Sequence, residues 1–302
     1  MTRAIFLGSP PAAVPSLAAA LEIVDVVGVI SQPDRPRGRS GDRVPTAVKV
    51  ASRDWGLDVF EPDGAEILGI VEGLEPEVAI VVAYGRILKK EVLAVPEHGF
   101  VNVHFSLLPR WRGAAPVQAA IAAGDADTGV SLMRLDEGLD TGPVIASALT
   151  MIAPTDTGGT LTGRLSSLGA GLLTATLPTY VAGEASLSHQ DETAATHAPR
   201  MATSDARLDP TRRADELERA VRAFSPRPGA WLDAPDGRLK VHQAGAVDEA
   251  SERGVVSVVD GRVLVGTAAG SLELHRVQAS GKPPMAARAW MNGRRGEPLS
   301  VL

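Results

Sequence analysis

The chain contains no cysteine, and this absence excludes several classes of site. Without thiols there can be no disulfide, no cysteine nucleophile, no cysteine-ligated zinc and no iron–sulfur cluster. Lysine and aromatic residues are also scarce, with five lysines beside 25 arginines and an aromatic fraction of 4%. Apolar runs such as residues 78–83 fall well short of the roughly 18 residues that a membrane span needs. No signal peptide is recognisable at the N-terminus, so we expect a cytoplasmic protein that does not bind membranes.

The remaining composition is typical of a globular protein, with 302 residues, 44% hydrophobic and 22% charged. This length predicts two domains. The net charge of −6 argues against a general nucleic-acid binder. The charge is uneven, because residues 1–199 carry a net charge of −9 and residues 200–302 a net charge of +3. The basic C-terminal part is a weak indication of a polyanionic partner.

The first part of the chain alternates short apolar runs with helical patterns, which is typical of βαβ units around a mostly parallel sheet. Strands are predicted at residues 3–7, 24–30, 59–60, 78–82, 100–105, 129–135 and 144–151. Helices are predicted at residues 12–21, 47–55, 66–74, 87–93, 114–123 and 160–181.

The pattern changes after residue 183. Residues 183–204 show little periodicity and are interpreted as a linker. An amphipathic helix is predicted over 212–224, followed by short strands at 239–243, 254–259, 262–266 and 272–278. The Asp260–Gly261 pair between two valine-rich runs predicts a hairpin. A small β-barrel or sandwich is therefore expected.

Residues 31–49 form a long segment without apolar periodicity. Between Asp34 and Lys49 the net charge is +3, so the segment is a basic flap on an acidic domain. Loops of this length are usually functional or disordered, and the sequence leaves both interpretations open.

Two polar residues alternate with apolar ones at 101–105. Val101, Val103 and Phe105 are predicted to face a core, and Asn102 and His104 the opposite side. Near the end of a strand in a βαβ sheet, that side faces the region where such folds bind ligands.

A Gly-rich acidic loop runs from Asp136 to Gly142, and its carboxylates need a partner before they can act in catalysis. Dinucleotide, P-loop and zinc-protease motifs are absent, and the six histidines are scattered, so no metal is expected.

Three stretches resemble the family of formyltransferases that use 10-formyltetrahydrofolate. They are residues 102–104, the run SLLPRWRGAAP at 106–116, and the loop at 136–142. Further stretches at residues 31–36, 82–85 and 230–231 are similar to the branch that acts on methionyl-tRNA. The likeness extends over nearly the whole chain.

The resemblance implies a Rossmann-like formyltransferase domain at 1–183, a linker at 184–204, and an OB-like β-barrel domain at 205–302 that contacts tRNA. The implied enzyme transfers the formyl group of 10-formyltetrahydrofolate to the α-amino group of methionyl initiator tRNA, for translation initiation. The amine attacks the formyl carbon directly, through a tetrahedral intermediate. A monomer is expected, because the acceptor stem must reach a cleft.

The resemblance also assigns roles to individual residues. Asn102 is expected to stabilise the oxyanion, His104 to hold or relay the amine proton, and Asp140 to orient His104. The folate site is expected to be lined by Ser106, Leu107, Leu108 and Pro109. The acceptor stem is expected to be bound by Arg35, Arg37, Arg39 and Arg43.

Two departures from the family pattern are visible. Phe105 stands where a small residue is usual, and Asp42 interrupts the basic flap. Two alternatives are compatible with these residues: a related enzyme that formylates a small amine, such as a nucleotide sugar or purine precursor, and a catalytically silent RNA-binding protein. The barrel and the basic flap argue against the first, and the intact Asn102, His104 and Asp140 argue against the second.

Overall fold

The computed structural model describes residues 1–36 and 41–301. The chain forms two compact units, each assembled from three segments. Unit 1 comprises Met1–Pro116, Asp127–Met151 and Thr162–Pro199. Unit 2 comprises Val117–Ala126, Ile152–Leu161 and Arg200–Leu302.

The central sheet of unit 1 has seven strands in the order β5-β2-β1-β6-β7-β8-β9, and a separate two-stranded ribbon pairs β3 with β4. The strands are β1 (Arg3–Gly8), β2 (Asp25–Ile30), β3 (Arg35–Pro36), β4 (Arg43–Val44), β5 (Val59–Phe60), β6 (Val78–Val82), β7 (Phe100–His104), β8 (Asp127–Arg134) and β9 (Val144–Met151). The first five strands of the sheet run parallel, and β7, β8 and β9 pair antiparallel. A mostly parallel, Rossmann-like sheet is thereby confirmed.

Helices follow most of these strands. They are α1 (Val14–Ile23), α2 (Ala47–Asp54), α3 (Ile67–Leu74), α4 (Lys90–Leu93), α5 (Pro116–Ala123) and α6 (Gly158–Val181). All five residues of β6 are buried, as expected for a continuous apolar strand at the centre of a parallel sheet. Within the described ranges, no helix combines the length and apolarity required to cross a bilayer.

Unit 2 is built on an antiparallel, barrel-like sheet in the order β10-β11-β14-β13-β12-β16, with β15 added to β14. Its strands are β10 (Trp231–Ala234), β11 (Gly237–Val247), β12 (Val255–Val259), β13 (Arg262–Gly266), β14 (Ser271–Gln278), β15 (Met285–Ala286) and β16 (Leu299–Ser300). Its helices are α7 (Ala214–Ala223) and α8 (Ala287–Gly293). The predicted hairpin is confirmed, because Val259 pairs with Arg262 across Asp260 and Gly261.

Helix α7 holds the two earlier segments of unit 2. The Arg219 side chain donates to the carbonyl of Ala122 at 3.3 Å, and Arg222 donates to the carbonyl of Asp156 at 3.1 Å. The amide of Gly159 donates to the carbonyl of Ser225 at 2.9 Å. Residues 117–126 and 152–161 are therefore structural parts of unit 2, although they precede most of it in sequence.

Some sequence-based boundaries were wrong. The helix predicted over 87–93 is confined to α4, because Lys89 is extended with φ −76° and ψ 158°. The basic flap was predicted without regular structure, yet it contains the β3–β4 ribbon. The sequence patterns also missed β10, β15, β16 and α8. Residues 184–199 belong to unit 1; the proposed domain boundaries stay a prediction.

Candidate active site

Strand β7 carries the polar pair that the alternation singled out. Asn102 pairs with Val81 of β6 and Met133 of β8, so it lies in the middle of the sheet. His104 is 5% exposed at the end of the strand. No hydrogen bond within the described part of the chain engages the Asn102 side chain, so its amide is available to a ligand.

Val103 and Phe105, which are predicted to face a core, lie next to α6. A Cβ placed on Gly169 of α6 would lie 2.7 Å from Val103 and 3.7 Å from the Phe105 ring. Phe105 is 9% exposed. The bulky ring therefore packs into the core beneath α6.

A cleft of about 440 Å³ opens at the carboxyl ends of β6 and β7. Its polar lining includes Asn102, His104 and Asp140, and its apolar lining includes Ile87 and Leu139. Both apolar side chains are exposed, by 90% and 58% respectively. The structure thus brings the three predicted catalytic residues to one cleft, at the edge where parallel sheets bind ligands.

Two contacts define the state of His104. Its Nε2 atom lies 3.0 Å from the carbonyl oxygen of Trp111. A carbonyl can only accept a hydrogen bond, so Nε2 carries the proton and Nδ1 has the free lone pair of the neutral ring. Nδ1 lies 3.7 Å from Oδ2 of Asp140, which is too long for a hydrogen bond but close enough for an ion pair once the ring is charged.

Asp140 is held by the backbone. Its Oδ2 atom accepts a hydrogen bond of 2.7 Å from the amide of Gly113. Asp140 itself has φ 54°, a left-handed conformation that is uncommon for residues other than glycine. The carboxylate is thus fixed between Gly113 and His104.

The residues predicted to line the folate site occupy the turn that follows β7. Ser106 is fully buried, and its hydroxyl donates to the carbonyl of Arg110 at 2.6 Å. The amide of Leu108 donates to Ser131 Oγ at 3.1 Å, before a cis peptide bond to Pro109. None of residues 106–109 is among the described residues that line the cleft. Their folate contact stays a prediction.

Comparison with known proteins places the chain in a family. The sequence model described as "Formyl transferase" matches residues 13–177, and "Formyl transferase, C-terminal domain" matches residues 200–295. A methionyl-tRNA formyltransferase of Halorhodospira halophila is 45% identical over 98% of this chain and 99% of its own length. One from Myxococcus xanthus is also 45% identical, over 99% of this chain and 97% of its own length. The chain belongs to the methionyl-tRNA formyltransferase family.

Solved formyltransferases share the fold of this family member. An N-formyltransferase of Helicobacter canadensis, in complex with folinic acid and dTDP-3-aminofucose, aligns with a TM-score of 0.71. It covers 91% of this chain and 99% of its own chain, at 18% identity. A glycinamide ribonucleotide transformylase of Symbiobacterium toebii aligns over 63% of this chain and 95% of its own, with 21% identity and a TM-score of 0.53.

The basic flap is anchored by a buried lysine. Lys49 is 4% exposed, and its Nζ atom contacts Asp34 at 2.8 Å and Glu61 at 2.7 Å. Burial by itself lowers the pKa of Lys49, but its hydrogen bonds to the two carboxylates outweigh burial and raise that pKa overall. The hydrogen bond from Lys49 in turn lowers the pKa of Asp34. The two ends of the flap are thereby tied together.

The predicted tRNA-binding arginines lie on this flap. Arg35 and Arg43 are exposed and belong to the paired strands β3 and β4, where Pro36 opposes Arg43. Arg37 and Arg39 lie outside the described residues. The structure does not bring Arg35 or Arg43 into the lining of the cleft.

Sequence reasoning missed several residues of the site. Gly113 fixes Asp140, and Ile87 and Leu139 flank the cleft. The neighbouring residues are glycine-rich or apolar and show no hydrophobic periodicity that could identify these positions. Arg112 and Gln190 were also missed, because they meet across 78 residues of sequence.

Proposed function

We propose that this enzyme transfers the formyl group of 10-formyltetrahydrofolate to the α-amino group of methionyl initiator tRNA. The observation that carries the proposal is the convergence of Asn102, His104 and Asp140 on one cleft. The relatives named methionyl-tRNA formyltransferase, 40–45% identical over 96–99% of this chain, support this choice of substrate.

The residues of the cleft fit a formylated folate. The apolar side chains of Ile87, Leu135 and Leu139 offer surface to an aromatic ring system, and the polar side chains lie deeper along β7. Solved neighbours of the same fold were obtained with folinic acid or 5-N-formyl-THF. When bound, the folate supplies the formyl group.

Asn102 and His104 have different roles in the reaction. The free Asn102 amide can donate a hydrogen bond to the formyl oxygen as it gains negative charge, a contribution of about 2.7–4 kcal/mol for one such donor. The amine nitrogen must lose a proton as its bond to the formyl carbon forms. The Nδ1 atom of His104 can accept that proton, and the resulting positive charge lies 3.7 Å from Asp140 Oδ2. When the tetrahedral intermediate collapses, the bond between the formyl carbon and N10 of the folate breaks, and N10 takes up the proton held by His104.

Two basic surfaces suit an RNA backbone. Unit 1 offers the flap with Arg35 and Arg43, which we assign to the acceptor stem. Unit 2 offers three exposed cations on neighbouring strands: Arg238 and Lys240 on β11, and Arg276 on β14. Phosphate contacts of this kind position a nucleic acid and make its binding depend on salt. We further propose that the enzyme acts as a monomer in the cytoplasm, where initiator tRNA is used.

A formylation assay tests the proposal. The enzyme is given 10-formyltetrahydrofolate with methionyl initiator tRNA, methionyl elongator tRNA or glycinamide ribonucleotide, and formylated product is quantified. Transfer to the initiator tRNA alone is expected. Transfer to the small amine would move the enzyme to another branch of the fold, and tRNA binding without transfer would indicate a silent RNA-binding protein.

A further inference from the structure

The segment that follows α6 is attached to both sides of the active site. We call residues 190–198 the bracing segment. Its contacts begin with Arg112, a side chain that is only 2% exposed. Arg112 Nη1 and Nη2 donate to the two carboxylate oxygens of Glu192 at 2.8 and 2.7 Å, and Nε donates to Gln190 at 3.0 Å.

The charge of Arg112 makes this attachment strong. A buried guanidinium is costly unless it is paired and its donors are satisfied, and here both partners belong to the bracing segment. The hydrogen bonds that Arg112 donates to Glu192 raise the pKa of Arg112 and lower the pKa of Glu192. Both groups therefore remain charged near neutral pH. The planar guanidinium group of Arg112 binds both carboxylate oxygens of Glu192, and this two-point contact fixes its direction.

Gln190 connects Arg112 to the loop that contains Asp140. Its Oε1 atom is occupied by Arg112, which leaves the two hydrogens of Nε2 to donate elsewhere. They donate to the carbonyl oxygen of Asp140 at 2.8 Å and to that of Gly142 at 2.7 Å. The amide thus clamps the backbone on both sides of Thr141, next to the left-handed Asp140.

The same segment reaches His104 through the backbone. The Trp111 amide donates to Thr196 Oγ1 at 2.9 Å, and the Arg112 amide donates to the carbonyl oxygen of Thr196 at 2.8 Å. Ala198 donates to the carbonyl of Arg112 at 2.7 Å. Since the carbonyl of Trp111 accepts the proton of His104, the segment sets the position of that acceptor as well.

We infer that Gln190, Arg112 and Glu192 are positioning residues that keep the Asp140 carboxylate at its position beside His104 during the transfer. The inference rests on the proposed function. None of the three lines the cleft within the described residues, so they act through the backbone of 140–142 and not on a substrate. Misplacement of a reacting group by about 1 Å can lower the rate about 100-fold, and this is the effect expected here.

The decisive variant is Gln190→Met, which keeps the length of the side chain and removes its hydrogen bonds. We expect kcat to fall about 10- to 100-fold, with KM for tRNA and for the folate within about twofold of wild type. The matched control is Asp191→Ala, one residue away. Among the described residues, the Asp191 side chain bonds within the segment, to the amide and hydroxyl of Thr193 as the cap of its short helical turn, so its loss should leave kcat within about twofold of wild type.

Each outcome supports or overturns the inference. Wild-type kcat in a folded Gln190→Met enzyme would overturn it, and so would an equal loss in Asp191→Ala, which would indicate a structural role of the whole segment. If Gln190→Met does not fold, Glu192→Gln decides, because Gln keeps the size of Glu192 and one acceptor oxygen for Arg112, at a side chain that is 68% exposed. It should lower kcat at constant KM, and an unchanged kcat would overturn the inference. A wild-type enzyme inactive on methionyl-tRNA would instead contradict the proposed function.

Discussion

Gly113, whose amide holds Asp140, is a position where adding a single methyl group should affect both stability and turnover. It has φ 115°, a region that side-chain-bearing residues rarely adopt. A Cβ at this position would lie 2.6 Å from the carbonyl oxygen of Ala198 and 3.3 Å from its carbonyl carbon. Neither neighbour is a flexible side chain, so Gly113→Ala must move the backbone.

The size of the effect follows from the backbone strain at positive φ and from the close contact between the added Cβ and Ala198. A residue held in a sparsely populated conformation costs about 1–3 kcal/mol, and overpacking costs about 1–3 kcal/mol. Together they amount to roughly 2–6 kcal/mol, a large share of the ~5–15 kcal/mol that stabilises a typical domain. A backbone shift relieves the strain, but it carries the Gly113 amide away from Asp140 Oδ2, so turnover should fall together with stability.

Thermal unfolding and formylation rate are measured on the same preparation. At about 2–4 °C per kcal/mol, the transition of unit 1 should fall by roughly 5–20 °C. Gly171→Ala is the control, because Gly171 is exposed in α6 and a Cβ there meets no atom within 4 Å. It should stabilise the enzyme by about 0.5–1 kcal/mol. A Gly113→Ala enzyme with wild-type Tm and kcat would refute the reasoning.

Three further predictions follow. Asn102→Ala should lower kcat about 10²–10³-fold in a folded enzyme, and His104→Ala about 10²–10⁴-fold; kcat/KM comparable to wild type in either would contradict the assigned roles. Changing Arg35 and Arg43 together to Ala should raise KM for tRNA and make its salt dependence shallower by about 0.7–0.9 per lost phosphate contact, whereas an unchanged slope would remove the flap from the RNA interface. Glu192, with its pKa lowered in the folded state, contributes stability above its unfolded pKa of about 4.3 and loses it as the pH falls. The Tm deficit of Glu192→Gln at pH 7 should therefore shrink below about pH 4, and a deficit that does not change with pH would contradict the ion pair.

Local pattern predicted much of the parallel sheet. The run at residues 78–82 is apolar at every position, and it forms β6 with the predicted bounds. The alternation at 101–105 predicted which side chains of β7 face the core and which face the cleft. In both cases the pattern of apolar residues spans only a few neighbouring positions, because burial of one or both faces of a strand determines which of its residues are apolar.

Contacts between distant residues could not be obtained in this way. The separation of His104 from Asp140, and the attachment of Arg112 to Gln190 and Glu192, depend on chain folding over dozens of residues. Residues 183–204 looked like a linker because they lack periodicity. Residues 190–198 make specific hydrogen bonds from extended backbone and one short helical turn at Glu192–Ala194, and such bonds leave no period in the sequence.

The way α7 holds residues 122 and 156–159 bears on how this architecture can be recombined. A chimaera that exchanges only residues from 200 onward between two family members would combine one parent's α7 with the other parent's 117–126 and 152–161. Arg219 and Arg222 would then meet carbonyl groups from a foreign sequence, in segments whose Ile121 and Leu161 are 1% and 0% exposed. A transplant of unit 2 from this enzyme should therefore carry all three segments with it, and an evolutionary exchange of unit 2 at a single crossover should be selected against.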